Sequence, residues 1–273
     1  LPVEDPAALT LVCQGTVTDS RSAGIDTGEG GLACADAAAL AECGEVRTHC
    51  AVRSAIPFTA HGRIDCDMTE QIEPGDEYYE VLGQLNCPSL LMGRVTMQMH
   101  YASGEPFTAA DPAPTGREAY HVARTSDHYT IGIDTRGSLR WPSNEFDGAL
   151  IVITSEDAPA EYHRTLTEQG ISWIAAGSGK IDLVRAMTLL REHFGVERLA
   201  VTGGGHINAA FLQAGLIDEF SMMIAPGIDG REGMASTFDG LGNDSASPFR
   251  LRLTDVSRVG DGTVWMRYLP VKQ

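Results

Sequence analysis

The stretch at residues 201–208 (VTGGGHIN) carries the clearest chemical signal in the chain. It follows an apolar run and precedes a helical pattern, so three glycines stand between a strand and a helix. Such a turn lets a ligand approach bare N–H groups, and the helix N-terminus favours an anion, typically a phosphate. The match to GxGxxG is imperfect, because Asn208 stands where the last glycine belongs. Two interpretations stay open at this point: a phosphate-bearing cofactor held by Gly203, Gly204, Gly205 and His206, or a strand-to-helix turn without a ligand.

Two earlier segments place polar residues at the ends of inferred strands. In residues 91–97 (LMGRVTM), Gly93 is followed by Arg94 and Thr96 at a helix start, where a guanidinium and a hydroxyl could neutralise and bind phosphate. Residues 151–155 (IVITS) end in Thr154 and Ser155. Open α/β sheets bind ligands at the carboxyl ends of their strands, so the joint pattern is more specific than any one segment. Each segment alone also has an ordinary structural explanation.

The elements that must position these residues form an alternating pattern. From Val46 onward strands and helices alternate, which predicts an α/β fold with a mostly parallel sheet. Residues 249–256 and 262–269 predict a closing antiparallel hairpin, and we expect a second hairpin between residues 128–134 and 139–141. We therefore divide the chain into one domain at residues 46–273 and an N-terminal segment at residues 1–45, to which the sequence assigns no role.

Composition narrows the class of partner. The formal net charge of −17 would repel nucleic acid and anionic membranes, although a local basic pocket can still take a phosphorylated small molecule. No run of about eighteen apolar residues predicts a membrane span, and no charged-then-apolar leader opens the chain, so we expect a cytoplasmic protein. The six cysteines form no CxxC pair and fit no common zinc template, so free thiols are expected and no metal site is predicted.

With these segments in order, the sequence resembles the dihydrofolate reductase superfamily, and within it the riboflavin-pathway pyrimidine reductases, relatives of the reductase half of the bifunctional deaminase-reductase. The resemblance covers about residues 47–270. Its most specific part is the glycine-rich turn followed by residues 211–219 (FLQAGLIDE). The other supporting segments are residues 61–65 (HGRID), 91–97, 132–134 (GID) and 225–230 (APGIDG).

The resemblance implies a three-layer α/β/α dihydrofolate reductase-like fold and an NADPH-dependent reductase, with NADH possible because Glu156 and Asp157 follow the second strand end. It places Arg94 on the 2′-phosphate of the cofactor and Thr96 on its pyrophosphate. Thr154 and Ser155 are expected beside the adenosine ribose and the 2′-phosphate. The implied reaction transfers hydride to a phosphoribosylamino-pyrimidine, converting a ribosyl into a ribityl chain, and the implied assembly is a homodimer. The implied cofactor-binding residues are Gly93, Arg94, Thr96, Thr154, Ser155, Gly203, Gly204, Gly205 and His206.

The expected substrate side departs from the family pattern. Relatives carry Ser-x-Asp-Gly-(Arg or Lys) after the first strand, whereas residues 59–63 here read TAHGR. His61 therefore stands in the place of the aspartate, as a candidate proton donor or as a loop histidine, with Thr59 and Arg63 as candidate substrate contacts. Thr202 also stands where many relatives carry glutamate. These changes keep two alternatives open: a dihydrofolate reductase-like or secondary-metabolism reductase, and a non-catalytic nucleotide-binding protein on the same fold.

Overall fold

A single β-sheet organises the chain from Cys50 onward. The computed structural model describes residues 50–59, 62, 64, 71–72, 76–242 and 247–271, and the N-terminal segment at residues 1–45 lies outside them. Within the described residues, ten strands form the sheet, in the order β3-β6-β5-β4-β2-β7-β1-β8-β10-β9. The strands are β1 (Ala51–Thr59), β2 (Ser89–Met92), β3 (Ala119–His121), β4 (Tyr129–Ile133), β5 (Ala149–Thr154), β6 (Ser172–Ala175), β7 (Arg198–Val201), β8 (Glu219–Ala225), β9 (Leu251–Val259) and β10 (Thr263–Pro270).

The seven strands from β6 to β8 in this order run parallel. Antiparallel pairs lie at the two edges: β3 on β6, and the β9–β10 hairpin on β8. Parallel strands present their carboxyl ends at one edge of the sheet, so the predicted polar segments meet there. The predicted parallel sheet and its C-terminal hairpin are confirmed.

Helices cover both faces of the sheet. They are α1 (Asp76–Gln84), α2 (Arg94–His100), α3 (Ala160–Glu168), α4 (Leu183–Phe194) and α5 (Gly205–Gln213). Successive residues of β5 alternate between the two sides: Ile151 and Ile153 pack in the core under α4 and α5, whereas Leu150 and Val152 pack against α2 and α3. This is the three-layer α/β/α arrangement that the resemblance implied.

The helix α4 has a side-chain cap at its start and a glycine at its end. Asp182 caps the helix by accepting a hydrogen bond from the N–H of Arg185 at 3.0 Å, and Gly195 ends it with φ of +68°. A left-handed residue after the last turn is the usual place for glycine, so the predicted helix end is confirmed.

The predicted hairpin at residues 128–141 is wrong. β4 lies between β2 and β5 and runs parallel to both, so residues 139–141 do not pair back on it. The physical reason is the carboxylate of Asp134, which is fully buried and accepts hydrogen bonds from the N–H groups of Ser138 and Leu139, each at 2.7 Å. This turn carries Trp141 into the core, where its indole donates to the Tyr162 hydroxyl at 3.0 Å.

Both cysteines in the described part of the chain, Cys50 and Cys87, are buried. Burial raises their pKa values to about 12 and about 11. Because the thiolate is the reactive form, these two residues serve packing rather than chemistry. In the same part of the chain, no helix has the length and apolar character needed to cross a membrane.

Candidate active site at the carboxyl edge of the sheet

The glycine-rich turn delivers unpaired backbone donors to the sheet edge. After β7, Gly203 takes φ of +120°, a conformation open to glycine, and α5 begins at Gly205. Among the described residues, none accepts a hydrogen bond from the N–H groups of Gly204, Gly205 or His206. These donors lie at the N-terminus of α5, a helix of nine residues, and therefore at the positive end of the helix dipole. The turn can therefore bind an anion through its backbone.

A second close approach explains why Gly205 is a glycine. A Cβ atom at this position would overlap the carbonyl oxygen of Ser236. The same loop is fastened to the helix by two further hydrogen bonds: the N–H of Asp239 donates to the Gly205 carbonyl at 3.1 Å, and the Asn208 amide donates to the Thr237 carbonyl at 2.9 Å. Residues 235–239 are thus held against the start of α5.

The β2–α2 segment is tied directly to the glycine turn. The N–H of Gly93 donates to the Gly203 carbonyl at 2.9 Å, and the N–H of Thr202 donates to the Leu91 carbonyl at 2.9 Å. These two bonds place Arg94 and Thr96, at the start of α2, beside the turn. Arg94 is exposed, and no described residue forms an ion pair with its guanidinium.

These elements enclose a cleft of about 590 Å³, which we call the glycine cleft. It brings together six of the predicted cofactor-binding residues: Gly93, Arg94, Thr96, Gly204, Gly205 and His206. Gly203 shapes the turn behind this cleft. The described lining includes a guanidinium and an imidazole and contains no carboxylate, in a chain of net charge −17. The glycine cleft is therefore suited to an anionic ligand.

Two of the predicted cofactor contacts are placed differently. Thr154 and Ser155 are buried, with exposed fractions of 0% and 2%. The Thr154 hydroxyl lies 2.8 Å from Nε2 of His163, and the Ser155 hydroxyl donates to the Thr135 carbonyl at 2.8 Å. Both hydroxyls shape the end of β5, and neither side chain has the exposed surface that direct contact with a nucleotide requires.

A second cleft of about 720 Å³ adjoins the first, and we call it the lysine cleft. The two share Ile133, Thr135 and Ile207 in their linings, so they lie side by side along the sheet edge, and we refer to them together as the groove. Thr135 and Lys180 are the residues that sequence reasoning missed. Thr135 directly follows β4, which is a signal that the strand-end rule could have used. The wrong hairpin concealed it by making β4 an antiparallel strand.

The candidate substrate residues fall partly outside the described chain. His61 and Arg63 lie outside it, and Thr59 is described only as the backbone end of β1, paired with Ala225. Of the neighbouring described residues, Ile64 lines the glycine cleft, and the Gly62 carbonyl accepts a hydrogen bond from the N–H of Thr237 at 3.0 Å. The roles of Thr59, His61 and Arg63 stay predictions.

Comparison with known proteins agrees with this geometry. Residues 82–265 match the family model described as the RibD C-terminal domain. The 2,5-diamino-6-ribosylamino-4(3H)-pyrimidinone 5′-phosphate reductase of Methanothermobacter thermautotrophicus is 30% identical over 145 residues, which are 52% of this chain and 60% of that protein. The RibD protein of Chlamydia trachomatis is 27% identical over 134 residues, 48% of this chain and 35% of that protein. The alignments thus span about 60% and about a third of the lengths of these two relatives.

Solved structures share the fold at low sequence identity. A pyrimidine reductase-like protein from Corynebacterium diphtheriae superposes with a TM-score of 0.62 at 17% identity, covering 82% of this chain and 92% of that one. The riboflavin biosynthesis reductase Rib7 of Saccharomyces cerevisiae superposes with a TM-score of 0.54 at 15% identity, covering 83% and 92%. At these identities the likeness establishes the fold.

Proposed function

This chain belongs to the RibD C-terminal domain family, and from that membership we propose that it is an NADPH-dependent reductase of a phosphoribosylamino-pyrimidine. The observation that carries the proposal is the glycine cleft, where N–H groups of the α5 N-terminus without an acceptor among the described residues and the guanidinium of Arg94 face a space whose described lining holds no carboxylate. Backbone donors at a helix N-terminus suit a pyrophosphate, and a planar guanidinium suits a phosphate monoester. The named activity of the Methanothermobacter relative supplies the substrate class.

Each part of the groove has a task in this proposal. Gly204, Gly205 and His206 bind the pyrophosphate through their N–H groups, Thr96 contributes its hydroxyl, and Arg94 binds the 2′-phosphate. Bound NADPH supplies the hydride. The sugar ring of the substrate would open by breaking its C1′–O4′ bond to give an imine-like form. That form would accept the hydride at C1′ and become the ribityl chain, with a proton delivered to the sugar or to its nitrogen. The protein thus contributes position and field, while the cofactor supplies the chemistry.

The proton donor in this proposal is His61. Imidazole titrates near neutral pH, which suits a general acid. We predict that His61→Ala lowers turnover by about a hundredfold or more while the dissociation constant for NADPH changes little. The measurement is steady-state kinetics beside a binding titration. Unchanged turnover would remove His61 from the mechanism.

The proposal is tested first by fluorescence titration with NADPH and NADH. Saturable binding of NADPH is expected, followed by oxidation of NADPH when 2,5-diamino-6-ribosylamino-4(3H)-pyrimidinone 5′-phosphate is added. Failure of the full chain to bind either cofactor would contradict the proposal. Cofactor binding without turnover on this substrate or on a pterin panel would favour the non-catalytic alternative, to which the TAHGR segment points.

A homodimer is the assembly that we propose for this enzyme. β9 is an edge strand, and Leu251, Leu253 and Val256 are exposed on it. Its register with β10, including one irregularity, places all three on the same face of the sheet. An exposed apolar row on an edge strand is a usual site of association. Light scattering should give twice the chain mass, and Leu253→Glu should shift the mass to that of one chain.

A further inference from the structure

The lysine cleft contains a cation that the proposed function does not yet use. Lys180 lines this cleft, is exposed, and makes no ion pair or hydrogen bond with any described residue. It is also one of two lysines in the whole chain, the other being Lys272, whereas the remaining 18 of the 20 basic residues are arginines. The lysine cleft adjoins the glycine cleft at Ile133, Thr135 and Ile207, so Lys180 and Arg94 line adjacent parts of the groove.

The loop that carries Lys180 is held in place by two carboxylates. Glu156 accepts a hydrogen bond from the N–H of Gly177 at 3.0 Å. Asp157 accepts one from the Ser178 hydroxyl at 3.3 Å and another from the N–H of Gly179. Neither acid lines the groove. The two residues that counted in the sequence against a 2′-phosphate are therefore occupied in shaping a loop.

Two glycines with positive φ angles set the backbone path of this loop. Gly177 and Gly179 have φ of +83° and +73°, and a Cβ atom at Gly177 would lie 2.5 Å from both the N–H nitrogen of Asp182 and the carbonyl oxygen of Lys180. The chain thus folds back on itself directly before Lys180. Asp182 also lines the lysine cleft, but its carboxylate accepts the N–H of Arg185 as the cap of α4.

We propose that Lys180 is a specificity-determining residue, which binds the phosphate monoester on the adenosine side of the cofactor together with Arg94, and that Asp157 positions it. This inference rests on the proposed function, because it assumes that a pyridine nucleotide occupies the groove. A flexible four-carbon stem carries the ammonium of lysine, so Lys180 can reach a phosphate from the cleft wall without a fixed approach angle. The pair of cations selects NADPH over NADH.

The first test compares the dissociation constants of both cofactors for the full chain and for Lys180→Gln. The dissociation constant for NADPH should rise about fivefold, and that for NADH by less than about twofold. Arg164→Gln is the matched control: it removes one positive charge from an exposed position on α3 that lines neither cleft. An equal effect on both cofactors, or no effect, would overturn the inference while the reductase proposal stands. If the unaltered chain bound neither cofactor, both would fall together.

The scarcity of lysine provides an independent readout. Amine-selective acetylation followed by peptide mass spectrometry should show Lys180 protected by NADPH and less protected by NADH. Lys272 serves as the internal reference in the same sample. Equal labelling of Lys180 with and without NADPH would contradict contact with the cofactor.

The positioning role of Asp157 is tested by whether removal of its carboxylate strengthens or weakens NADPH binding. Removing a carboxylate near a phosphate should, by charge alone, strengthen NADPH binding. Loss of the loop contacts should weaken it, so we expect Asp157→Ala to raise the dissociation constant for NADPH and to abolish the protection of Lys180. Asp157→Asn keeps an acceptor oxygen for the N–H of Gly179 and should restore both. Tighter NADPH binding by Asp157→Ala would refute the positioning role.

Discussion

The two halves of the groove use different means to present a polar surface. In the glycine cleft, backbone N–H groups at a helix start and one arginine face the ligand space, and the elements are fastened by backbone hydrogen bonds such as Gly93 to Gly203. In the lysine cleft, the polar groups are side chains on loops, held by the carboxylates of Glu156 and Asp157. The first half is shaped by backbone conformation and the second by side-chain hydrogen bonds, so the same kind of substitution should have different consequences in each.

The glycine half should be the more sensitive to added volume. Gly205→Ala places a methyl group against the Ser236 carbonyl, so we expect it to lower the free energy of unfolding by about 3 kcal/mol and to weaken NADPH binding. Chemical denaturation measures the first effect. Gly83→Ala in α1, where a Cβ atom would have no neighbour within 4 Å, is the control and should be neutral or slightly stabilising. An unaffected Gly205→Ala variant would show that the 235–239 loop is not fixed there.

Two threonines distinguish a role in stability from a role in binding: Thr154 is buried at the end of β5, and Thr135 lines the lysine cleft. Thr154→Val removes the hydroxyl that His163 contacts, which should cost about 2 kcal/mol of stability and leave cofactor affinity unchanged. Thr135→Val should do the reverse, with stability kept and the dissociation constant for NADPH raised about fivefold. Denaturation and titration on both variants check the pair. A binding defect in Thr154→Val but not in Thr135→Val would instead support contact between the adenosine and the end of β5.

Arg94 tests what the glycine cleft contributes to the preference for NADPH over NADH. We expect Arg94→Ala to raise the Michaelis constant for NADPH about tenfold, because a charge-assisted bond to the 2′-phosphate is lost, with a much smaller change for NADH. Steady-state kinetics with both cofactors makes the measurement, and Arg164→Ala on α3 is the control. Equal effects on the two cofactors would exclude contact with the 2′-phosphate.

The smallest effect concerns pH and His163, which lies on α3 with its Nε2 2.8 Å from the Thr154 hydroxyl at the end of β5. Burial lowers the pKa of His163 to about 4. The unfolded chain binds a proton near pH 6.5 whereas the folded chain does not, so stability should fall as pH drops from about 6.5 toward 4. Between pH 7 and 5.5 this residue should account for about 1 kcal/mol of lost stability. Denaturation of His163→Gln at both pH values should show a smaller loss than in the unaltered chain, and an equal loss would assign the pH dependence to other groups.

Sequence reasoning succeeded where the signal was local. The end of α4 at Gly195 follows from the need for a left-handed residue, and the position of Gly93, Arg94 and Thr96 follows from a strand running into a helix. It failed at residues 128–141, because the buried carboxylate of Asp134 gathers N–H groups that a hairpin would have paired across strands. That error also hid Thr135, one of the three residues that the two clefts share.

The sequence by itself determined the alternation of strands and helices outside residues 119–141, the glycine turn and the basic residue beside it, because each depends on a few consecutive residues and their backbone preferences. Only the tertiary structure decided which side chains share the groove. Thr154 and Ser155 were turned into the protein, and Glu156 and Asp157 were paired with the loop before Lys180, by contacts between strand ends about twenty residues apart. Such contacts depend on which parallel strands lie side by side, and no short stretch of sequence records that neighbourhood.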